Sequence, residues 1–557
     1  MKSTRGALVV ALVGAMLTIW SMLMYVTGPL AIPGFSNFML PAEMFGVPAD
    51  LKARGLEAYL KGKNTGWDGQ FYYYQSNDIF ATRDTISHID NPPYRYQRIG
   101  VSLAAKVVSK VLLQNWVSPL TYYLTTFSIC VLAVFVFARF LVENGYSPLW
   151  ALAWIAGAGT QVTILNALPD AVADAFLILA LISFLNRQRA TYLVCMSLSA
   201  LSREAYVVFP ILISLYYFFL DKIPLLKERF PHAERENAQW VVACLPVLPF
   251  LIWQVYVRMH IGSPSSGSAI VLGAPLAAAF EYVKEIFYLT SFSDVRALQV
   301  IGVYLHLALL LFCIFICGRL LVSFWKSRSA SLAAPIAVGF LLLVAVYACF
   351  SDVVMMDWTG YFKADNMLLF LVPFIYVLMR SRIPPSVGVF FLALVLYFWI
   401  PFYQRINAAP LVANIPSFSG VAAECKNDIT TKVEMQGISV VLRSGLLNRF
   451  FGQPVRTMKV KLTNMSDYVL ESTGAVGSLN LAYQWVLRGS DDVVMDGTRF
   501  FLSQPLKPGD AEIADFAIVF PEKKGSYDLI ISPVEEGCVW LYRKSKQNAL
   551  VLPFDVR

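Results

Sequence analysis

Apolar residues form a series of long blocks over the first 403 positions of this chain. Most blocks run for about 16–25 residues, the length that an α-helix needs to cross the hydrocarbon core of a bilayer. The first block, Ala7 to Pro29, follows Lys2 and Arg5 and has no convincing small-residue cleavage site after it. We therefore interpret it as a retained helix with a cytoplasmic N-terminus rather than as a signal peptide.

Ten further blocks bring the predicted number of transmembrane helices to about 11. They cover residues 118–141, 148–166, 170–186, 190–203, 205–220, 240–258, 297–324, 332–350, 366–380 and 385–403. Alternating these spans places four basic loops on the cytoplasmic side, as the positive-inside rule requires; they contain basic residues within 187–189, 222–235, 326–328 and 380–382. The short loop after the second span is the exception, with Glu143 and only Arg139 nearby. The odd number of spans then puts the C-terminal region outside. The break at Arg203 is essential, because merging the two short blocks beside it would invert every later span.

Residues 30–117 form the long first external loop. Within this loop, Ile99 to Trp116 is apolar but carries Lys106 and Lys110. This mixture predicts an amphipathic helix that lies at the membrane interface.

From residue 404 to residue 557 the pattern is that of a second, external domain. Segments such as Met458–Leu462 and Tyr527–Ser532 have much of the alternation typical of half-buried strands. Turn signals occur between such segments, at Asp496-Gly497 and at Lys507–Asp510. Several short strands at regular spacing predict an all-β sandwich.

Two cysteines belong to this external domain. Cys425 and Cys538 lie near its two ends, whereas the other six cysteines fall in apolar spans. In an oxidising compartment we expect Cys425 and Cys538 to form one disulfide that closes a long loop.

Composition agrees with this division into two parts. The chain of 557 residues is 57% hydrophobic and 15% charged, against about 45–50% and about 25% in soluble proteins. Its formal net charge of +8 matches the positive-inside bias of a membrane protein. No basic stretch is interleaved with aromatic residues, so nucleic acid is not an expected partner.

Asp68 is the first candidate for chemistry, in the segment Gly66-Trp-Asp-Gly-Gln-Phe-Tyr-Tyr-Tyr74. A carboxylate in a tight, partly desolvated turn has a raised pKa and suits the role of a general base. The aromatic faces beside it suit the C–H faces of a sugar ring. The alternative interpretation is an Asp-Gly turn beside interfacial tyrosines. Further candidate substrate-binding residues of the loop are Trp67, Gln70, Tyr72, Asp90 and Tyr94.

Two carboxylates and a cation lie at the external ends of later spans. Asp170 and Asp174 are four residues apart and share a helix face, so we interpret both as substrate-binding. An alternative interpretation of Asp170 is a negative charge that stabilises the N-terminus of its helix. A carboxylate inside a transmembrane span, as predicted for Asp174, is a candidate functional residue by default. Arg203 either pairs with Glu204 or holds an anionic headgroup.

Lys363 belongs to a predicted external loop, Ser351 to Asp365. It either extends its ammonium group to the membrane surface or binds a lipid phosphate together with Arg95, Arg98 and Arg203, through charge-assisted hydrogen bonds. Walker, Rossmann, HExxH and Gly-x-Ser-x-Gly motifs are all missing from the sequence. Because the external compartment normally offers no nucleotide sugar or ATP, its chemistry must use a substrate that the membrane delivers.

Two motifs of the first loop carry a family resemblance. The stretches Trp67-Asp-Gly-Gln-Phe-Tyr-Tyr73 and Tyr94-Arg-Tyr-Gln-Arg98 resemble a bacterial branch of the GT-C superfamily of integral-membrane glycosyltransferases, a branch associated with cell-surface glycopolymer formation. The predicted helix that begins at Asp170 and the segment Leu201-Ser-Arg-Glu204 are also similar to that bacterial branch. The resemblance covers approximately the first 400 residues.

The resemblance implies a glycosyltransferase of the bacterial inner membrane that uses a polyprenyl-phosphate-linked sugar. Its acceptor would be a periplasmic or cell-surface glycan, lipid-linked glycan or protein. Asp68 would be the base, with Asp78 and Asp90 as possible substitutes. Arg95, Arg98, Arg203 and Lys363 would bind the donor phosphate. Such a reaction needs no metal or other cofactor, because the lipid phosphate is already a good leaving group.

Two alternative functions remain open, namely a transporter or flippase of lipid-linked sugars and a polysaccharide polymerase or ligase. The C-terminal region also has a resemblance, to the β-sandwich modules attached to bacterial polysaccharide export and glycosylation proteins. This resemblance rests on segments such as Leu481–Trp485 and Gly525–Leu529. Some of those modules bind glycans, but we expect Trp485 to be a core residue.

Overall fold

A computed structural model describes the chain in segments. These are residues 2–27, 39–42, 45–56, 66–223, 239–263, 272–284, 295–327, 333–355, 358–407, 429–441, 455–471, 479–490, 492–502, 505–518, 521, 525–535 and 539–556. The described residues fall into two compact units, one within Met1–Val283 and Val295–Ala409, the other within Lys284–Asp294 and Pro410–Arg557. The first unit is helical and the second is mainly β-structure.

Long apolar helices dominate the first unit. Its helices of eight residues or more are Lys2–Thr27, Gly69–Asn77, Gly100–Val111, Pro119–Glu143, Ala158–Leu165, Asp170–Leu185, Arg189–Ser202, Val208–Lys222, Val247–His260, Ala277–Lys284, Val295–Ser327, Ala333–Ala348, Trp358–Leu378 and Pro385–Asn407. Among the described residues, six helices are long and apolar enough to cross a membrane, or seven if one bent pair counts as a span. The protein is therefore a helical membrane protein with an additional β domain.

The predicted break at Arg203 is confirmed. The helix Arg189–Ser202 ends where Arg203 adopts an extended conformation, and a short 3-10 turn, Glu204–Val207, precedes the helix Val208–Lys222. The amphipathic helix of the first loop is also present, as Gly100–Val111, with Ala105 buried and Val107 exposed.

Two helix boundaries differ from the sequence-based expectation. The predicted span 148–166 is bent by 53° between Ile155 and Ala158. Asn366 packs against the break: its side-chain oxygen lies 1.8 Å from the position that a Cβ on Gly157 would take, and its amide donates to the Trp154 carbonyl oxygen at 2.8 Å. The predicted span 366–380 begins earlier, at Trp358.

The second unit contains two antiparallel sheets. Its strands are β1 Thr431–Val441, β2 Val455–Asn464, β3 Leu479–Leu487, β4 Val493–Phe501, β5 Ala511–Ile518, β6 Gly525–Glu535, β7 Val539–Trp540 and β8 Leu550–Val556. One sheet has the order β1-β2-β5, and the other has the order β4-β3-β6-β7 with β8 also paired to β6. Both predicted strands are confirmed within β2 and β6. Trp485 is fully buried beside Phe554, so its predicted core position is also confirmed.

The predicted turn at Asp496-Gly497 is wrong. These residues lie inside β4, where Asp496 pairs with Gln484 and Arg499 pairs with Ala482. Two residues of β4 therefore face one residue of β3, which is the arrangement of a β-bulge, and glycine is common at such bulges.

Candidate active site

Asp68 lies where the first loop enters a short helix, Gly69–Asn77. Gly66 has a positive φ of 65°, and a Cβ on Gly69 would lie 1.8 Å from the carbonyl oxygen of Asn166. Only glycine allows these two backbone segments to approach so closely. The sequence Gly-Trp-Asp-Gly thus seats Asp68 directly on the loop that precedes Asp170.

Arg95 lies between two carboxylates. Its Nη1 donates to Asp68 Oδ2 at 2.9 Å, while Nε and Nη2 donate to the two carboxylate oxygens of Asp90 at 2.9 and 2.7 Å. The local sequence explains this geometry, because the Asn91 side chain caps the helix Pro92–Tyr96 and accepts from the Tyr94 N–H. This single helical turn places the Arg95 side chain next to the Asp90 carboxylate.

The charges around Asp68 determine its ionisation. Burial alone would raise its pKa, but the charges of Arg95, Lys363 and Arg98, together with the Arg95 hydrogen bond, hold the pKa below its ordinary value of 3.8. The side chain remains half exposed, at 50%. Asp68 is therefore an accessible carboxylate that is ionised at neutral pH. The expected raised pKa is wrong, because the fold brings three cations close to this turn.

Arg98 forms the second ion pair of the site. Its Nε and Nη2 donate to the carboxylate of Glu204 at 2.8 and 2.7 Å, a bidentate contact. Pairing with Glu204 was one of the two interpretations of Arg203; in the structure Glu204 instead pairs with Arg98 of the first loop. Gly100 permits this contact, since a Cβ there would lie 2.5 Å from the Leu198 carbonyl oxygen.

Arg203 faces the two carboxylates at the start of the helix Asp170–Leu185. Its Nη1 lies 3.8 Å from Asp170 and 3.9 Å from Asp174, and it donates to the Tyr206 hydroxyl at 3.2 Å. Tyr206 donates in turn to Asp174, which also accepts from Trp154 Nε1 at 3.3 Å. The buried Asp174 carboxylate thus has a cation and two neutral donors around it.

Aromatic rings surround the arginines. The Arg95 guanidinium lies 5.8 Å from the Tyr72 ring and 5.4 Å from the Tyr94 ring, and Arg98 lies 4.8 Å from the Tyr94 ring. Tyr72 is buried, which raises the pKa of its hydroxyl to about 12. Tyr94 is partly exposed and covers both guanidinium groups.

The other two predicted residues of the loop differ in exposure. Trp67 is half-buried next to Asp68. Gln70 is fully buried and accepts a hydrogen bond from the Ala42 N–H at 3.0 Å. Gln70 therefore anchors the loop backbone, and its contact with substrate stays a prediction.

Lys363 lies on the helix Trp358–Leu378 rather than in the predicted loop. Its charge acts on Asp68, so it belongs to the same group as Arg95 and Arg98. Among the residues that the structure describes, Lys363 makes no ion pair. It is therefore the cation of this group that a bound anion can approach without displacing a carboxylate.

Two features were not anticipated from the sequence. His306 Nδ1 lies 2.5 Å from Asp365 Oδ2, and both side chains are fully buried among the helices. Asp78, the possible substitute base, accepts from the backbone N–H groups of Thr82 and Arg83 at 3.0 Å and thus holds a turn. The position of His306 within an apolar block is the only sequence signal of the first feature.

The remaining predictions about the site concern metal ligands and the disulfide. Within the described segments, no group of three or more His, Cys, Asp and Glu side chains is placed to hold a metal ion. Cys425 and Cys538 lie outside the described residues.

Comparisons with known proteins add no assignment to this geometry. The chain matches no protein-family model, no curated protein and no solved structure.

Proposed function

We propose that the protein is a membrane glycosyltransferase that moves a sugar from a polyprenyl-phosphate-linked donor to a periplasmic or cell-surface acceptor. What supports this proposal best is Asp68, an accessible carboxylate with three cations close enough to lower its pKa. A base beside cations is what transfer from a sugar phosphate requires. The loop motifs that resemble GT-C enzymes contribute three of these four residues.

In the proposed reaction Asp68 accepts the proton of an acceptor hydroxyl group. The hydroxyl oxygen forms a bond to the anomeric carbon, and the bond from that carbon to the phosphate oxygen breaks. The electron pair of the broken bond leaves with the lipid phosphate. Lys363 is the first ligand that we assign to this phosphate, because its ammonium group forms no ion pair among the described residues.

Donor binding also makes Asp68 a stronger base in this scheme. A carboxylate with a lowered pKa is always ionised at neutral pH but accepts a proton weakly. A phosphate bound beside Lys363 and Arg98 cancels part of the positive charge that lowers the pKa of Asp68. The pKa of Asp68 then rises towards the range in which a carboxylate works as a base.

Substitution of Asp68 tests the proposal. We expect Asp68→Asn to lower transfer by about 100-fold to 10,000-fold, the usual contribution of a general base. Asp50→Asn is the matched control, because Asp50 is an ion-paired carboxylate of the same loop that contacts Arg83 and not the site. The measurement is mass spectrometry of the cell-surface glycan in a strain that has no other source of the activity. A normal glycan with Asp68→Asn, in a protein that inserts and folds, contradicts the proposal.

A transporter of lipid-linked sugars is the second candidate function. The buried carboxylate of Asp174 and the buried His306–Asp365 pair favour it, because ionisable groups inside membrane helices often mark a transport pathway. This candidate predicts that lipid-linked glycan crosses the bilayer without any new glycosidic bond. Linkage analysis of the lipid-linked pool with and without the protein separates the two functions. The same analysis with a monosaccharide donor and with an oligosaccharide donor distinguishes a polymerase from a glycosyltransferase that adds single sugars.

A further inference from the structure

A cavity of about 610 Å³ opens at the end of the helical unit opposite to Asp68. It lies between the segment 144–150, which follows the helix Pro119–Glu143, and the segment 377–383, which begins in the last turn of the helix Trp358–Leu378. Both helices begin near Asp68. Tyr122, in the first helix, donates to the carbonyl oxygen of Ala167, which lies in the loop that contacts Gly69. Lys363, in the second helix, is one of the cations that lower the pKa of Asp68. From Tyr122 to residue 144 the helix axis extends for about 33 Å, close to the thickness of the hydrocarbon core. The cavity is therefore distinct from the Asp68 site and lies at the other membrane face.

A hydrogen bond fixes the two walls of the cavity to each other. The Tyr146 hydroxyl lies 2.9 Å from the carbonyl oxygens of both Tyr376 and Ser381 and shares its hydrogen between them. Ser147 caps the following turn by accepting from the Leu149 N–H. The walls are thus held in place by the chain itself, which favours a preformed site over an incidental gap.

The charge of the cavity is positive. Arg380 and Arg382 line it with exposed side chains, and no acidic residue is among its described lining residues. Within the described part of the chain neither guanidinium forms an ion pair. The nearby Glu143 is already paired with Arg139 at 2.7 Å. Two arginines on one wall thus remain available to an anion.

Trp150 adds an aromatic ring to the lining, next to Phe391 at a centroid distance of 6.1 Å. Tryptophan is enriched at the level of lipid headgroups, where its ring contacts both apolar and polar groups. Arginine pairs are the preferred ligands of phosphate, because each guanidinium can donate two parallel hydrogen bonds. Basic pockets between membrane helices on the cytoplasmic side are known to bind acidic headgroups.

We propose that this cavity binds a phosphate group through Arg380 and Arg382. The leaflet around it supplies such groups as the headgroups of anionic lipids, and free phosphate is the other source of the same chemistry. Because the four basic loops define the proposed cytoplasmic side, the lipid would be one of the cytoplasmic leaflet. The alternative explanation is that these arginines only orient the chain in the membrane.

Lipid binding to the purified full-length protein tests this proposal. The probe is dioleoylphosphatidylglycerol, with dioleoylphosphatidylcholine for comparison, and bound lipid is counted by native mass spectrometry. We expect the double variant Arg380→Gln/Arg382→Gln to lose affinity for phosphatidylglycerol by about tenfold, or 1.4 kcal/mol. The matched control is Arg187→Gln/Arg189→Gln, which removes the same charge from another basic loop at the same end, and we expect its affinity to stay within about twofold of the unchanged protein.

Two further measurements complete the test. Arg380→Lys/Arg382→Lys keeps the charge that orients the chain, so a loss of affinity in this variant as well identifies the guanidinium geometry as the cause. Inorganic phosphate that competes with the lipid identifies free phosphate as a ligand, whereas a lack of competition identifies the lipid headgroup. An equal loss in the 380/382 and 187/189 glutamine variants, or no loss in either, overturns the proposal.

Discussion

Arg95 uses all three of its guanidinium nitrogen atoms to bind carboxylates. Two of them hold Asp90 and the third holds Asp68. The bidentate pair fixes the plane of the guanidinium group, and the remaining N–H then fixes the orientation of Asp68. We therefore interpret Asp90 as a positioning residue that acts on Asp68 through Arg95, in addition to its expected contact with substrate.

Opposite shifts of a pH profile test this interpretation. Arg95→Gln removes a positive charge beside Asp68, so the pKa of Asp68 rises. Asp90→Asn leaves the charge of Arg95 without its main counter-charge, so the pKa of Asp68 falls by a smaller amount. Because the acidic limb of kcat/KM follows the base of the free enzyme, we expect this limb to move to higher pH in Arg95→Gln and to lower pH in Asp90→Asn.

The measurement is kcat/KM between about pH 3 and pH 7, the range that includes the ordinary pKa of an aspartate. A purely structural effect of either substitution would lower the rate at every pH without moving the limbs in opposite directions. Movement in the same direction, or no movement, contradicts the positioning role of Asp90. The Asp50→Asn variant, which leaves this group of charges unchanged, shows the reference profile.

At the scale of elements, two glycines bring the site together. A Cβ on Gly69 or on Gly100 would overlap backbone atoms of another segment, at Asn166 and at Leu198 respectively. The first contact seats Asp68 beside the Asp170 loop, and the second places Arg98 beside Glu204. The site thus depends on close packing between the first loop and two later helices.

Gly100→Ala is expected to disturb this packing. The new methyl group must move the helix Gly100–Val111 away from the end of the helix Arg189–Ser202, at a cost of about 1–3 kcal/mol in the free energy of unfolding. Gly318→Ala is the matched control, because a Cβ at Gly318 meets no atom within 4 Å. Thermal unfolding of both variants in the same detergent measures the effect. An unchanged Tm for Gly100→Ala shows that the contact is not as close as described.

The positions of most helices and of two strands followed from the sequence, because each depends on a local pattern of apolar residues. The bend at Gly157 did not, since the residue that packs against it, Asn366, lies about 200 positions later in the chain. The loop motif singled out Asp68, but not its lowered pKa, which depends on Lys363 from a distant helix. Gly497 was assigned to a turn because the same residue type suits both a turn and a bulge, and only strand pairing distinguishes them.

At the scale of the molecule, the helical unit has two ends that carry different groups of charged side chains. Asp68 and its cations lie at one end, and the cavity lined by Arg380 and Arg382 lies at the other. The helix Pro119–Glu143 joins these ends with 25 residues, about 37 Å in length. A helix of this length and composition can cross a bilayer, so we expect the two ends to face different compartments.

Labelling of single cysteines tests this orientation. In a variant without the eight native cysteines, Ser87→Cys places a thiol at an exposed position of the first loop, and Ser147→Cys places one at an exposed position beside the cavity. We expect a membrane-impermeant maleimide to label Ser87→Cys in intact spheroplasts and to label Ser147→Cys only after lysis, because the bilayer separates the reagent from the second thiol. Labelling of both thiols in intact spheroplasts contradicts the membrane-spanning arrangement. The reverse pattern keeps that arrangement but places Asp68 in the cytoplasm, where a periplasmic acceptor cannot reach it.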